Sequence, residues 1–384
     1  MTLDALVTDA QLRWAVGGVR ALAAAGVRTG AMAPSRGSAG LWSRRAVERI
    51  VGPDGYTEPA AYAAAVGRAA LEHGPLVVYP AQDETLDALI AAGSSLSAAA
   101  ILPYPGPEPL ARLRDKRLLP DRAHEAGLTV PLTIMEATVA EIRRADPPLP
   151  HIIKPPRPDS GLSTPHVVAT VAERDVVLDG LPEDEPLLVQ EVAALPLVGL
   201  ALVTDRDGVV VARFQQVARR QWPVPVGGST LALSVAPDAE LVARSARLLA
   251  GTGFWGLAQL QFLSTVRGPA LIDVNTRFYG SLPLATASGV NLPHAWHAVT
   301  TGTAPPADAG YRVGVHYRWL AAEISAARNG YPRRLLWRSP RPKVGAVWDR
   351  GDPLPGLVAA AETAGPMVAR VVRGVAARAG LSRS

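Results

Sequence analysis

The feature that most restricts the fold is the alternation of short apolar segments with longer helical patterns in the first hundred residues. Four apolar stretches have the length of buried strands, at residues 3–8, 27–33, 75–80 and 98–102. Three amphipathic patterns separate them, at residues 10–25, 58–73 and 84–92. This alternation favours a parallel sheet with helices on both faces. The first strand–helix turn lacks G-x-G-x-x-G, so the sequence does not indicate NAD or FAD binding.

The chain changes character after residue 105. A Pro- and Gly-rich stretch at 103–109 predicts a boundary, and the prolines within 147–150 precede a region of strands in hairpin-like succession. We predict four parts in chain order. They are an N-terminal α/β domain (1–105), linker helices with a small α+β subdomain (106–186), a larger α+β subdomain (187–332) and a basic extension (333–384).

Composition excludes several classes of protein. Of the 384 residues, 48% are hydrophobic and 19% are charged, which is enough apolar material for large cores. The chain has no cysteine, so disulfides and thiolate chemistry are excluded. No apolar run approaches a membrane span, and the first ten residues lack the basic segment of a secretory signal. We therefore expect a cytoplasmic protein.

The net charge of +5 is concentrated at one end of the chain. Residues 333–384 hold ten basic and three acidic side chains (10 − 3 = +7), so the preceding 332 residues sum to −2. A basic stripe on the folded body, which nucleic-acid binding would favour, is not expected. The arginine-bearing helical pattern at 356–379 leaves open a contact with an acidic membrane, although docking on its own domain is the simpler interpretation.

Three polar residues occur on two otherwise apolar predicted strands. Gln261 lies on one strand, and Asp273 and Asn275 lie two residues apart on the next, so the latter two share a face. Buried polar side chains need partners, and carboxylate and amide oxygens suit Mg²⁺. The pattern predicts a metal site that depends on the charge of a phosphate ligand, because it offers only one carboxylate. The alternative is an ordinary hairpin turn.

Lysine is rare enough to be informative. The chain has three lysines (Lys116, Lys154 and Lys343) and 36 arginines. Lys154 ends a short apolar strand, where an ammonium is unfavourable unless it meets an anion. Lys116 lies within the helical stretch predicted at 110–126, and an ordinary solvated helix lysine is the competing interpretation.

Together these residues resemble the ATP-grasp superfamily of ligases, in order and spacing over roughly residues 1–320. The most specific segment is AQLQFL…GPALIDVNTRFYGSLPLATASGV, at 258–290. The resemblance implies two α+β subdomains that clamp ATP, with Gln261, Asp273 and Asn275 as ligands of Mg²⁺, or of Mn²⁺ as an alternative. Gln261 in place of an acid is similar to the carbamoyl-phosphate synthetase branch.

The resemblance also implies roles for further residues. Arg277, two residues after Asn275 and therefore expected on the same side of the strand end, would contact the transferred phosphate. Arg219 or Arg220 would bind a substrate carboxylate. Seven residues would hold the nucleotide: Lys116, Lys154, Ser160 and Gly161 at the phosphates, and Gln190, Glu191 and Val192 at adenine. Surface roles remain open for the three arginines, and a plain hairpin loop remains open around Ser160.

The activity implied is an ATP-dependent ligation of a small-molecule carboxylate to an amine through an acyl phosphate. The resemblance also implies a homodimer, which is common in such families. Two alternatives stay open. One is a carboxylate or carbamate kinase-like enzyme that stops at the phosphorylated product. The other is a nucleotide-binding regulatory protein whose metal site is too weak for turnover. The sequence does not identify the acid or the amine.

Overall fold

Three β-sheets organise the chain, here analysed as a computed structural model. The structure describes residues 2–156, 162, 165–224, 227–265, 267–332 and 344–364. Ser160, Gly161, Lys343 and the end of the basic tail lie outside the described residues.

The first sheet is parallel and has the strand order β3-β2-β1-β4-β5. Its strands are β1 (Ala5–Val7), β2 (Thr29–Ala33), β3 (Glu48–Val51), β4 (Leu76–Tyr79) and β5 (Ala100–Ile101). Helices α1 (Arg13–Ala24), α2 (Pro59–His73) and α3 (Asp83–Ala92) connect them. The predicted parallel sheet is confirmed. Strand β3 was not predicted, because its side chains alternate between half-buried and exposed and form no apolar run.

The second sheet is small and antiparallel, with the order β6-β9-β7-β8. Helices α4 (Pro107–Arg114) and α5 (Leu119–Glu125) lead into it. Its elements are β6 (Thr133–Thr138), α6 (Val139–Ala145), β7 (His151–Lys154), β8 (His166–Val168), α7 (Val171–Leu178) and β9 (Pro186–Glu191). A capping box between Thr138 and Glu141 starts α6. Strand β9 pairs within this sheet, although the sequence assigns residues from 187 onward to the next part.

The third sheet is the largest, with the order β14-β13-β10-β11-β12-β15-β16. Its strands are β10 (Ala194–Thr204), β11 (Val210–Trp222), β12 (Gly228–Val235), β13 (Gly256–Thr265), β14 (Gly268–Asn275), β15 (His316–Arg318) and β16 (Val344–Gly345). The helices of this part are α8 (Ala239–Thr252), α9 (Leu282–Ser288), α10 (Leu292–Thr301), α11 (Leu320–Arg328) and α12 (Leu354–Ala364).

One hydrophobic core joins the first sheet to the third. Tyr79, Phe278 and Trp296 form a ring cluster with centroid separations of 4.8–5.5 Å. Gly18 of α1 lies against this cluster, and a Cβ there would be 2.3 Å from the ring of Phe278. The absence of a side chain at this position lets α1 approach closely, so the N-terminal part is fixed on the large sheet.

The start of the predicted basic extension is part of this fold. Strand β16 pairs in parallel with β15. Arg20 donates to Asp352 across 2.9 Å, and the buried Asp352 also accepts hydrogen bonds from Ser43 Oγ and the Arg44 amide. Residues 344–364 therefore dock on the N-terminal part. Among the described helices, none is long and apolar enough to cross a membrane.

Candidate nucleotide and metal site

Two lysines meet at the edge of the small sheet. Lys154 is the last residue of β7 and its side chain is only 8% exposed. Lys116 lies in the turn between α4 and α5, and not in a helix as the sequence interpretation placed it. The backbone amide of Lys116 donates to the Pro156 carbonyl across 3.1 Å. Burial and, after it, the neighbouring Lys116 lower the pKa of Lys154 to about 8, whereas Asp273 opposes the shift. The buried ammonium is therefore poised to bind an anion.

The predicted metal ligands lie together on the large sheet. The antiparallel register of β13 and β14 sets Gln261 opposite Asp273, and Gln259 opposite Asn275. The Asn275 amide donates to Asp273 Oδ2 across 3.1 Å, and Gln261 Nε2 donates to Gln259 Oε1 across 3.3 Å. Alternate residues of these strands face opposite sides, so four polar side chains share one face while apolar neighbours fill the core.

Two adjoining cavities are lined by the two lysines and by Gln259, Gln261 and Asp273, whereas Asn275 lines neither of them. One, of about 230 Å³, is lined by Lys116, Lys154, Gln190, Glu191, Gln261 and Asp273 among others. The second, of about 220 Å³, continues past Gln216, Gln259, Gly228, Ser229 and Ser281 to Arg13. The cavities share Leu197, Gly227 and Gln261 in their walls, and we call them together the polar cleft. A phosphate chain in this cleft would meet cations at one end and oxygen ligands beyond them.

The adenine residues are placed unequally. Gln190 is 4% exposed and its amide donates to Thr133 Oγ1, so the side chain is already used. Glu191 forms an ion pair with Arg267 and accepts a hydrogen bond from the Leu132 amide. Val192 is 38% exposed and does not line the cleft. Gln190, Glu191 and the backbone of Val192 remain predicted nucleotide contacts.

The predicted catalytic arginines lie outside the polar cleft. Arg277 follows the end of β14, and its Nε donates to Asp83 Oδ2 of α3 across 3.0 Å. The sequence interpretation placed Arg277 on the strand face of Asn275. In the structure β14 ends at Asn275, and Arg277 pairs with Asp83 instead. Arg219 sits at a β-bulge in β11 and is exposed. The Arg220 guanidinium lies 2.8 Å from the buried carboxylate of Glu323. The roles assigned to these three residues remain predictions.

Sequence reasoning missed several residues of the cleft. Gln259 and Gln216 are 5% and 4% exposed, and Gln216 Nε2 donates to Ser281 Oγ across 2.5 Å. Both glutamines follow the same signal as Gln261, which is a polar residue in an otherwise apolar strand. Arg13 at the start of α1 gave no comparable signal, because the chain holds 36 arginines.

Comparison with known proteins agrees with this architecture. Residues 200–322 match the family model described as "ATP-grasp in the biosynthetic pathway with Ter operon". Biotin carboxylase from Campylobacter jejuni superposes with a TM-score of 0.64 at 16% identity, over 82% of this chain and 74% of the other. The chain has the ATP-grasp fold. The resemblance found in the sequence is thus confirmed.

Other ATP-grasp structures are similarly close. N5-carboxyaminoimidazole synthetase from Staphylococcus aureus has a TM-score of 0.61 at 12% identity and covers 80% of this chain and 81% of its own. L-amino acid ligase from Bacillus licheniformis has a TM-score of 0.59 at 14% identity, with 82% and 79% covered. No curated protein matches the sequence. At these identities, the structural likeness establishes the ATP-grasp fold alone.

Proposed function

We propose that this protein is an ATP- and Mg²⁺-dependent ligase that joins a carboxylate to an amine. The single observation that carries the proposal is the polar cleft, in which Lys116 and Lys154 lie on one side and the Gln261–Asp273 face on the other. A triphosphate is the common ligand that needs both cations and a metal-binding face.

The reaction balances in two steps. A carboxylate oxygen of the acid forms a bond to the γ-phosphorus of ATP while the bond to the β–γ bridging oxygen breaks, which yields an acyl phosphate and ADP. The amine then forms a bond to the acyl carbon, inorganic phosphate leaves, and the amine proton passes to solvent. Neither step needs a protein nucleophile, in keeping with a chain without cysteine.

The residues on the metal face suit a hard cation. Gln261, Asp273 and Asn275 offer one carboxylate and two amide oxygens, and the Asn275 amide nitrogen already lies 3.1 Å from Asp273 Oδ2. When bound, Mg²⁺ would neutralise phosphate charge. Since the face has one formal charge, it holds the cation mainly together with the nucleotide.

The other residues bind and orient. Lys154, removed from water, forms a charge-assisted hydrogen bond to a phosphate oxygen that is stronger than one at an exposed site. Lys116 adds a second cation from the linker turn. Gly227, Gly228 and Ser229 border the junction of the two cavities, where backbone groups can approach the transferred phosphoryl group.

The test is ADP release and acyl-phosphate trapping. The purified protein is incubated with ATP, Mg²⁺, hydroxylamine and a panel of acids, and hydroxamate is measured alongside ADP. Equimolar acid-dependent hydroxamate and ADP, lost in Asp273→Asn, support the ligase. Full ADP turnover with an acid and no amine would favour the kinase-like alternative. Tight ATP binding without ADP formation over the whole panel would favour the regulatory alternative, for which the single carboxylate is the supporting observation.

A further inference from the structure

A large cavity, separate from the polar cleft, is also lined by Arg13. It measures about 660 Å³ and is bounded by the start of α1, helix α11, the β16 region and α12. Its wall is mainly apolar and includes Leu12, Trp14, Trp319, Ile324, Val347 and Trp348. Trp348 is 53% exposed, although tryptophan side chains are usually well buried in folded proteins. We call this the tryptophan cavity.

Arg13 connects the two spaces, since it lines both the polar cleft and the tryptophan cavity. Its guanidinium carbon lies 3.6 Å from the ring centroid of Trp319 and 5.0 Å from that of Trp14. The glycine at 280 makes this position possible, because a Cβ there would fall 2.2 Å from an Arg13 nitrogen. The guanidinium is thus held in place at the point where the cavities meet.

This cation has no carboxylate to balance it among the described residues: none lies within 4 Å. The Arg13 Nε is buried and makes no hydrogen bond there. The hydroxyl of Tyr317 accepts a hydrogen bond from the Arg13 side chain and donates to the Gly280 carbonyl, so it supplies no negative charge. Burial lowers the pKa of Arg13, as expected of a cation removed from water without an anion. A guanidinium in this setting is suited to a bidentate carboxylate ligand.

We propose that the tryptophan cavity binds the acid substrate, and that this substrate is a monocarboxylic acid with a bulky apolar or aromatic body. Its carboxylate pairs with Arg13 and faces the polar cleft, while its body packs among Trp14, Trp319 and Trp348. The volume is in the range of sites for drug-sized molecules. The role of the bound acid as a substrate rests on the proposed ligase function. The binding of an apolar acid in this cavity does not depend on that function.

Equilibrium binding to the nucleotide-free protein tests the pocket. The probes are 3-phenylpropionate, indole-3-propionate and octanoate, with propionate and 3-phenylpropionamide as matched controls that lack the body or the charge. Calorimetry and tryptophan fluorescence report binding. We expect at least one of the three acids to saturate below about 10 mM, and each control to bind about tenfold more weakly.

Two variants separate charge from packing. Arg13→Gln removes the cation and should weaken the acid about tenfold while the amide control is unaffected. Trp348→Ala should weaken all three acids and leave the affinity for Mg·ADP unchanged, which also shows that the variant is folded. Saturation by none of the acids, equal affinity for acid and amide, or unchanged acid affinity in both variants would overturn the pocket.

The pocket and the ligase can fail separately. If the acids bind as expected but yield neither ADP nor hydroxamate, the pocket stands and the proposed function is wrong. If hydroxamate forms from propionate as fast as from the bulky acids, and Arg13→Gln does not change the KM for either, the ligase stands and the pocket assignment is wrong.

Discussion

The polar cleft and the tryptophan cavity share Arg13 but differ in what builds them. The cleft is lined by two ammonium groups, two carboxylates (Glu191 and Asp273) and several amides, most of them on strands of two sheets. The cavity is lined by the start of α1, by α11 and α12 and by the β16 region, with three indoles, an otherwise mainly apolar wall and the charged side chains of Arg13, Arg318, Arg328 and Glu362. The cleft can recognise its ligand by charge, whereas the cavity can do so mainly by burying apolar surface.

This difference separates two kinds of dependence. Affinity in the cleft should respond to charge, pH and salt, because its cations are partly desolvated and its metal face carries a single charge. Affinity in the cavity should respond to ligand size and to the loss of aromatic side chains. A substitution in one space should therefore leave equilibrium binding in the other unchanged, except at Arg13, which belongs to both.

Loss of the carboxylate on the metal face should have the largest effect. Asp273→Asn removes the only formal negative charge of that face, so ADP formation should fall about 100-fold or more. Binding of 3-phenylpropionate should not change. Asp207→Asn, in the exposed hairpin between β10 and β11, is the matched control and should retain full activity. Comparable ADP formation by the Asp273 and Asp207 variants would show that the metal face is not used.

Loss of the buried lysine should have the next largest effect. Lys154→Met keeps the length and apolar stem of the side chain but removes the charge, so ATP affinity should fall about 10- to 100-fold, as for the loss of a hydrogen bond to a charged group. Lys116→Met should have a smaller effect, because Lys116 is only half-buried. Titration calorimetry with Mg·ATP measures both. A larger loss of ATP affinity in Lys116→Met than in Lys154→Met would show that Lys116, and not the buried Lys154, is the main phosphate contact.

The lowered pKa of Lys154 predicts a pH dependence of nucleotide binding. With a pKa of about 8 in the free protein, the group loses its proton as the pH rises past 8. Phosphate favours the protonated form, so the Kd for ATP should rise above pH 8 by up to about tenfold per pH unit.

The lowered pKa of Lys154 also affects folding stability. The pKa is about 8 in the empty folded state and 10.5 in the unfolded state, so the folded state binds fewer protons between these two pH values. The free energy of unfolding contributed by this group therefore increases with pH over that range.

Calorimetry in two buffers of different ionisation enthalpy tests the pH dependence of nucleotide binding. Binding above pH 8 should take up a proton in the wild type. Lys154→Met should show neither the proton uptake nor the added rise in Kd. A wild-type Kd that stays constant from pH 7 to 9.5 would contradict the proposed contact.

The cleft could be predicted from the sequence because its residues break local patterns. Gln261 and Asp273 stand out on apolar strands, and Lys154 stands out in a chain with three lysines. The strands that carry them have clear period-2 patterns, so their facing was predictable once the strands were known. The ATP-grasp resemblance then implied ATP as the ligand.

The cavity could not be predicted in this way. Trp14, Trp319 and Trp348 come from three distant parts of the chain, and each by itself is an ordinary apolar residue. Arg277 was assigned to the phosphate side because its spacing from Asn275 suits a strand, but β14 ends at Asn275, so the two-residue rule no longer applies beyond it. Only the tertiary arrangement reveals its partner, Asp83.

The Arg277–Asp83 ion pair ties the N-terminal part to the large sheet next to both spaces, and its loss should have the smallest effect. The side chains are 19% and 22% exposed, and Arg114 also lies 3.5 Å from Asp83. Burial alone would raise the pKa of Asp83, but Arg277 and Arg114 hold it below the usual 3.8. The stability from this carboxylate is therefore present above pH 3.8 and is lost as the pH falls through the lower pKa of the folded state.

A double-mutant cycle with Asp83→Asn and Arg277→Gln, followed by denaturant unfolding, should give a coupling energy of about 1 kcal/mol at pH 7. Coupling near zero would mean that the pair does not stabilise the junction.

The same two variants also test whether Arg277 takes part in phosphate transfer. If Arg277 also contacts the transferred phosphate, as the ATP-grasp resemblance implies, Arg277→Gln should lose about tenfold more ADP formation than Asp83→Asn at equal stability. Equal activity of the two variants would confine Arg277 to joining the two parts of the chain.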